Sequence, residues 1–559
     1  MTHSTNDSDC GSRSGRPWST VNILETLLLA VAAVFLALHA LHLRADFPNH
    51  SPWMDWAKYT DEGWYGDAAI RHFQRGDWYV PGDFNPAAAL PAWPVLESVI
   101  FHFTGVNVIA ARGLAVAIFA LILISVYLLV RRWQQLQWPD GSRSLAPAGA
   151  VLLLAVSPFC YAFSRMAILE PMLILLMLLT LLCISYAPVQ SEVGSGNRGR
   201  NGRFLAIFTL GILLPLMVFT KTTAVFLLPA IAWLLFARCS YRLRAALEMV
   251  VPATVVGISL WALYYRMAVR PHFLEDYRYL FSANAYTGVT AQNMFEVLQQ
   301  SFVDGLWLGQ ILYPLAIAAT VFALVIRPRL LKNPLLPALF LWAAGYLAFI
   351  IYHNNLQPRY YLVIVVPVTL IAVIVLENAL RALSWRSFAG ASAAAACVAV
   401  LITMAVLDAR QTLRYVLHPE YSFSAAAEQI RRIVDSDRTH SPLVLSISGS
   451  DLSLMTGLPS ICDDFGTMDL SERVKAYHPG WYVAWNEVDD DKMDALTPLY
   501  RLRRVASFPA MDDPERNLMI LYRLDPPPSV PTPHRPRHSA TELVSTDFNN
   551  QDSPLGGKR

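Results

Sequence analysis

Long apolar runs dominate the first four fifths of the chain, and the polar breaks between them are short except in two places. A helix needs about 20 apolar residues to cross the hydrocarbon of a bilayer. Runs that approach this length lie near 23–43, 108–130, 146–163, 166–187, 204–219, 222–237, 246–267, 307–326, 335–352, 361–380 and 388–407. The pattern predicts a polytopic α-helical membrane protein with about 11 transmembrane helices. The first run follows a polar leader, 1–22, and no small-residue cleavage site follows His42-Leu43-Arg44, so it is expected to stay in the protein rather than leave as a signal.

The two long polar intervals, 44–107 and 268–306, are expected to be structured loops on one side of the membrane, where such a protein keeps its chemistry. After the transmembrane module, 23–407, the composition becomes that of a water-soluble unit. Within 408–525, Ala425–Val434 reads as a helix, and Leu443–Ser448, Trp481–Trp485 and Leu518–Leu524 read as strands, which predicts a small C-terminal α/β domain. The segment 526–559 opens Pro-Pro-Pro-Ser-Val-Pro-Thr-Pro and stays polar, so it is expected to be disordered, and Val193–Arg203, rich in Gly, Ser and Asn, is expected to be a flexible connection. No internal repeat is visible.

Charge adds sidedness. Alternate connections are basic: Arg131, Arg132 and Arg143; Arg198, Arg200 and Arg203; Arg238, Arg242 and Arg244; Arg327, Arg329 and Lys332; Arg381 and Arg386. Basic loops are retained in the cytoplasm, so the N-terminus is expected inside, and an odd number of spans puts the C-terminal domain outside, in an inner membrane. Of 559 residues 55% are hydrophobic and only 15% charged, a balance suited to lipid rather than water. The net charge of +2, with no basic stripe carrying interleaved aromatics, gives no sign of nucleic acid as a partner. Six scattered cysteines show neither metal-ligand spacing nor a disulfide framework.

Four polar clusters fall on the outer side. In the first long loop Asp61, Tyr65, Ala68, Ala69 and His72 recur at helical spacing, placing Asp61 and Glu62 in the first turn of a helix that leads to Arg71 and Gly76. Acids there either cap the helix or take part in chemistry. Arg165 and Glu170 flank a short turn between two spans, as a structural pair or as lining of a wet cavity. Lys221 sits at another tight turn, snorkelling to headgroups or meeting an anion. Arg359 and Tyr360 precede the tenth span, as an interfacial anchor or as a fork for a phosphate. The aromatics Trp53, Trp56, Tyr59, Trp64, Tyr65, Trp78, Tyr79, Phe84 and Trp93 suit the membrane interface, and some suit stacking on a sugar or isoprenoid.

Asp61-Glu62-Gly63-Trp64-Tyr65, followed by Gly76-Asp77-Trp78 and Leu90-Pro91-Ala92-Trp93-Pro94, resembles the first outer loop of the GT-C glycosyltransferases. More narrowly it resembles the bacterial branch related to protein O-mannosyltransferases and lipid A aminoarabinose transferases. The likeness runs through Ser164-Arg165 to Glu170, Thr220-Lys221 and Arg359-Tyr360, and covers roughly residues 20–410. The motifs are short, and their order and sidedness carry the specificity.

The resemblance implies an inverting hexosyl- or pentosyltransferase with a polyprenyl-phosphate sugar as co-substrate and a lipid, protein or glycan as acceptor. Asp61 takes the role of the acid acting on the acceptor, with Glu62 beside it. Arg165 and Glu170 match an Arg and a following acid, where relatives often carry Asp. Lys221, Arg359 and Tyr360 correspond to the hold on the donor phosphate. Carboxylates beside a phosphate suit Mg²⁺ or Mn²⁺, although no spacing requires a divalent ion. Two other classes remain: a secondary transporter or flippase for a lipid-linked sugar, and a non-catalytic assembly subunit whose outer domain binds a partner.

Overall fold

The computed structural model describes residues 20–138, 144–188, 197–284, 287–354, 356–383 and 387–527. Among them eight helices are long and apolar enough to cross a membrane, or ten if each of two bent pairs is one span. A shorter apolar helix, Thr222–Arg238, lies beside them. Each of the eleven apolar runs falls on one of these elements, and the chain is a multi-span membrane protein.

The bends have local causes. Ala146–Val156 and Pro158–Ser164 meet at 66°. Ser157, held extended by the proline that follows it, caps the second piece by accepting from the Cys160 N–H at 3.3 Å. Met294–Leu308 and Leu312–Ile326 meet at 117° around Gly309, whose φ of +145° no other residue adopts readily. The interval 268–306 is mostly helical: π-helical turns over Tyr265–Phe273, containing Pro271, lead into Leu274–Asn284, and Met294–Asp304 follows. The flexible connection expected at Val193–Arg203 is already helix from Asn197 onward, with 193–196 outside the described residues. Most of the leader, 1–19, and of the tail, 528–559, lies outside them too.

The C-terminal unit carries a five-stranded sheet, β1 (Val444–Leu445), β2 (Ser460–Ile461), β3 (Trp481–Trp485), β4 (Arg501–Pro509) and β5 (Leu518–Asp525), in the order β2-β1-β3-β5-β4. β1 pairs in parallel with β2 and β3, and β5 runs antiparallel to β3 and β4. The Ser422–Ser436 helix covers the sheet with Phe423, Ala427 and Ile430, and the Gly449–Thr456 helix follows β1.

This unit does not stand apart from the first long loop. Tyr59 from that loop is buried in the unit's core against Trp485. Asp46 caps the Ser422–Ser436 helix from outside, accepting from the Phe423 and Ser424 N–H groups at 2.8 and 3.1 Å. Lys58, nearly devoid of solvent, pairs with Asp512 at 3.3 Å.

Candidate active site

The Asp61–Arg75 helix forms where the spacing predicts it and ends at Gly76, whose φ of +84° suits glycine. Its first residue, Asp61, is 1% exposed. One oxygen accepts from the Thr60 hydroxyl at 2.9 Å, and the other lies 3.0 Å from Arg359 Nε without the alignment of a hydrogen bond. Arg359 is held mainly by Asp55, which accepts from its backbone N–H at 2.8 Å and forms an ion pair with its guanidinium. Asp55 also caps the Trp56–Lys58 turn, accepting from the Ala57 N–H at 2.8 Å. It sits among tryptophans and was not singled out in the sequence; that aromatic setting, which forces an acid to find a buried cation, was the available signal.

The phenol ring of Tyr360 joins this cluster to the next. Arg359 lies 4.8 Å from the ring centroid and Lys221 Nζ 4.3 Å. Lys221 in turn forms an ion pair with Glu170, which is fully buried and whose second oxygen has no hydrogen-bond partner among the described residues. Asp61, Glu170, Lys221, Arg359 and Tyr360, scattered over 300 residues, therefore converge, and Asp55 completes the group. Burial pushes the Asp61 carboxyl above its ordinary range, Arg359 opposes this, and the charges of Asp55 and Glu170 add to it.

Two expected members are elsewhere. Glu62 faces the other way and is fully engaged: Arg112 Nε donates to it at 2.8 Å and the Ala167 N–H at 2.8 Å, so it bolts the Asp61–Arg75 helix to the Val108–Gln137 span. Arg165 does not pair with Glu170. It reaches the Tyr161 hydroxyl and the carbonyls of Leu41, at 3.1 Å, and His42, because the Met166–Ile168 turn sends the two side chains to different neighbours. No group of three His, Cys, Asp or Glu among the described residues is placed to hold a metal ion, and Asp55 and Asp61 converge on the Arg359 guanidinium.

Buried carboxylates and cations thus gather around an aromatic ring beneath the first long loop, in a fold that known membrane proteins share. Residues 89–269 match the family described as dolichyl-phosphate-mannose-protein mannosyltransferase. Among solved structures, ArnT from Cupriavidus metallidurans bound to undecaprenyl phosphate aligns over 90% of this chain and 98% of its own at 16% identity, with a TM-score of 0.58. The apo state of the same enzyme aligns over the same shares at 16% identity, with a TM-score of 0.54. The oligosaccharyltransferase of Archaeoglobus fulgidus aligns over 82% of this chain and 69% of its own at 13% identity, with a TM-score of 0.48. No curated protein matches the chain by sequence. The resemblance read from the outer-loop motifs is borne out.

Proposed function

We propose that the protein is an inverting glycosyltransferase of the inner membrane that moves a sugar from a polyprenyl-phosphate donor to a lipid, protein or glycan acceptor on the extracytoplasmic face. The observation that carries this reading is Asp61: a buried carboxylate with raised proton affinity and one loosely held oxygen, set against an Arg359-Tyr360-Lys221 chain of anion-binding groups. The shared fold of ArnT, whose structure holds undecaprenyl phosphate, supports the choice of donor.

In this reading an acceptor hydroxyl or amine attacks the anomeric carbon, and Asp61 takes its proton as general base. The bond from that carbon to the lipid phosphate oxygen breaks, and the electron pair leaves with the phosphate. Lys221 and Arg359 stabilise the charge that grows there, in a site where little water competes. Glu170 keeps Lys221 charged and aimed until the phosphate takes its place beside the ammonium. Attack opposite the leaving group inverts the anomeric configuration. The basic connections support a cytoplasmic N-terminus and an outer C-terminal unit.

The test is transfer of radiolabelled sugar from a panel of polyprenyl-phosphate donors in membranes that hold wild type or Asp61→Asn at matched expression. Wild-type transfer that falls at least about a hundredfold in the variant is expected for a lost general base. Equal transfer would return Asp61 to a capping role, and passage of labelled donor across vesicles without transfer would favour a flippase.

A further inference from the structure

The Asp61–Arg75 helix lacks a cap of its own. Thr60 occupies the capping position, yet its hydroxyl is spent on the Trp56 carbonyl and on Asp61, each at 2.9 Å, and accepts nothing from the helix. The first turn of a helix leaves N–H groups that need acceptors from outside it. The third residue, Gly63, packs its backbone against the Ser450–Asp451 peptide, which brings its N–H beside the carboxyl of Asp451 in the first turn of the Gly449–Thr456 helix of the C-terminal unit.

The fit at this point is close. A Cβ on Gly63 would lie 2.1 Å from the carbonyl carbon of Ser450, so glycine is required for the two backbones to meet. Contacts on either side fix the register: Trp64 Nε1 donates to the Ile447 carbonyl at 3.0 Å, and the Ser450 hydroxyl donates to Asp67 at 2.9 Å. The two helices thus touch through their N-terminal turns, whose positive dipole ends are offset by Asp61, Glu62 and Asp451.

Asp451 is 1% exposed, and its second oxygen has no hydrogen-bond partner among the described residues. Burial pushes its carboxyl well up, the charges of Glu62 and Asp61 on the facing helix add to this, and the Gly63 N–H and Arg112 oppose it.

We propose that the C-terminal unit is a working part of the catalytic centre, with Asp451 a positioning residue that caps the Asp61–Arg75 helix across the interface and so fixes the direction of Asp61. Gly63 is two residues from Asp61, so a first turn that frays or shifts moves the Asp61 carboxylate away from Arg359. The kinetic half of this proposal rests on the transferase reading above; the capping half does not.

The experiment uses the purified full chain as wild type, Asp451→Asn and Asp451→Ala, with two readouts. Hydrogen exchange is followed on peptides covering 60–68, and transfer kinetics are measured with a synthetic polyprenyl-phosphate sugar on which wild type is active. The asparagine oxygen still accepts from Gly63, so D451N should keep wild-type exchange and a kcat within about twofold. D451A should exchange about tenfold faster in these amides alone. Its kcat should fall about tenfold or more, as for a misplaced catalytic group, with donor KM little changed.

Unchanged exchange in D451A overturns the cap, whether or not any sugar is transferred. Faster exchange with undiminished kcat overturns the positioning role and leaves a purely structural contact. If wild type transfers from no donor, the kinetic half falls together with the proposed activity, and exchange alone decides the cap. Should D451A not accumulate folded, Asp451→Ser, too short to reach Gly63 in the same way, is read by the same two criteria.

Discussion

Two buried charge clusters lie under the first long loop, and they differ in what they leave over. In the first, Arg71 binds Asp67 at 2.7 Å and Asp83 at 2.6 Å, and Asn85 at 2.8 Å, while Arg473 ties Asp83 at 3.3 Å to three backbone carbonyls of the C-terminal unit. Both oxygens of Asp83 accept hydrogen bonds, and Asp67 accepts from the Ser450 hydroxyl while its other oxygen meets Arg71 Nε as an ion pair. In the second, around Tyr360, one oxygen of Glu170 has no partner among the described residues and one of Asp61 has only an unaligned contact. Charge density and burial are alike. The unpartnered oxygen of Glu170 marks the cluster that can still exchange a partner, whereas the saturated Asp83 marks the one that ties the loop to the C-terminal unit.

The contrast can be broken at either end. Arg71→Met leaves Asp67 buried without a cation and Asp83 with Arg473 alone, and should cost about 3–5 kcal/mol of stability. Thermal unfolding in detergent should show this while turnover per folded molecule holds; lost turnover at an unchanged melting temperature would move Arg71 into the reactive cluster. Lys221→Met should lower transfer about a hundredfold to a thousandfold, the scale of a lost electrostatic stabiliser. Retention of most activity in matched membranes would instead give Lys221 a purely structural role.

A pH series sharpens the same point. The folded environment raises the proton affinity of Asp61, so its base form appears only above the ordinary carboxylate range, and transfer should rise with pH along a limb displaced upward. A limb at the ordinary carboxylate position would contradict a buried base. The smallest effect concerns Asp463 in the C-terminal unit, where burial raises the carboxyl from 3.8 to about 7 and Lys492 opposes this. Folding then favours the protonated acid, so this contribution is complete below the unfolded value and is lost as pH rises through about 7. Asp463→Asn should flatten that part of the dependence of stability on pH, as read by unfolding of the full chain; an unchanged slope would assign it to another group.

Much of this was legible because it is local. Apolar runs mark their own helices, helical spacing places Asp61 at a helix start, and the alternation of basic loops brings Lys221, Arg359, Tyr360 and Glu170 to one side. What failed was partner choice. Glu62 follows Asp61 directly, yet a helix turns neighbours about 100° apart, and one meets Arg359 while the other meets Arg112. Of the two readings of Arg165 and Glu170, the structural pair does not form, because the intervening turn sends the side chains to different neighbours. β4 escaped notice because its exposed edge alternates with arginines rather than apolar residues, as an edge strand does to resist further pairing. Asp451 had no local signature at all, since its partner is a backbone N–H almost 400 residues earlier.

The stitching of the first long loop to the C-terminal unit also has a consequence in time. Ser450 and Asp67, which touch, are 383 residues apart in the chain. At about 5–20 residues per second a ribosome needs about 20–80 s to cover that distance. Throughout that interval the helix bearing Asp61 is already outside the exit tunnel, without its seat. A chain translated as far as Arg359 therefore carries every charged residue named in the site and still lacks the unit on which the Asp61–Arg75 helix is seated.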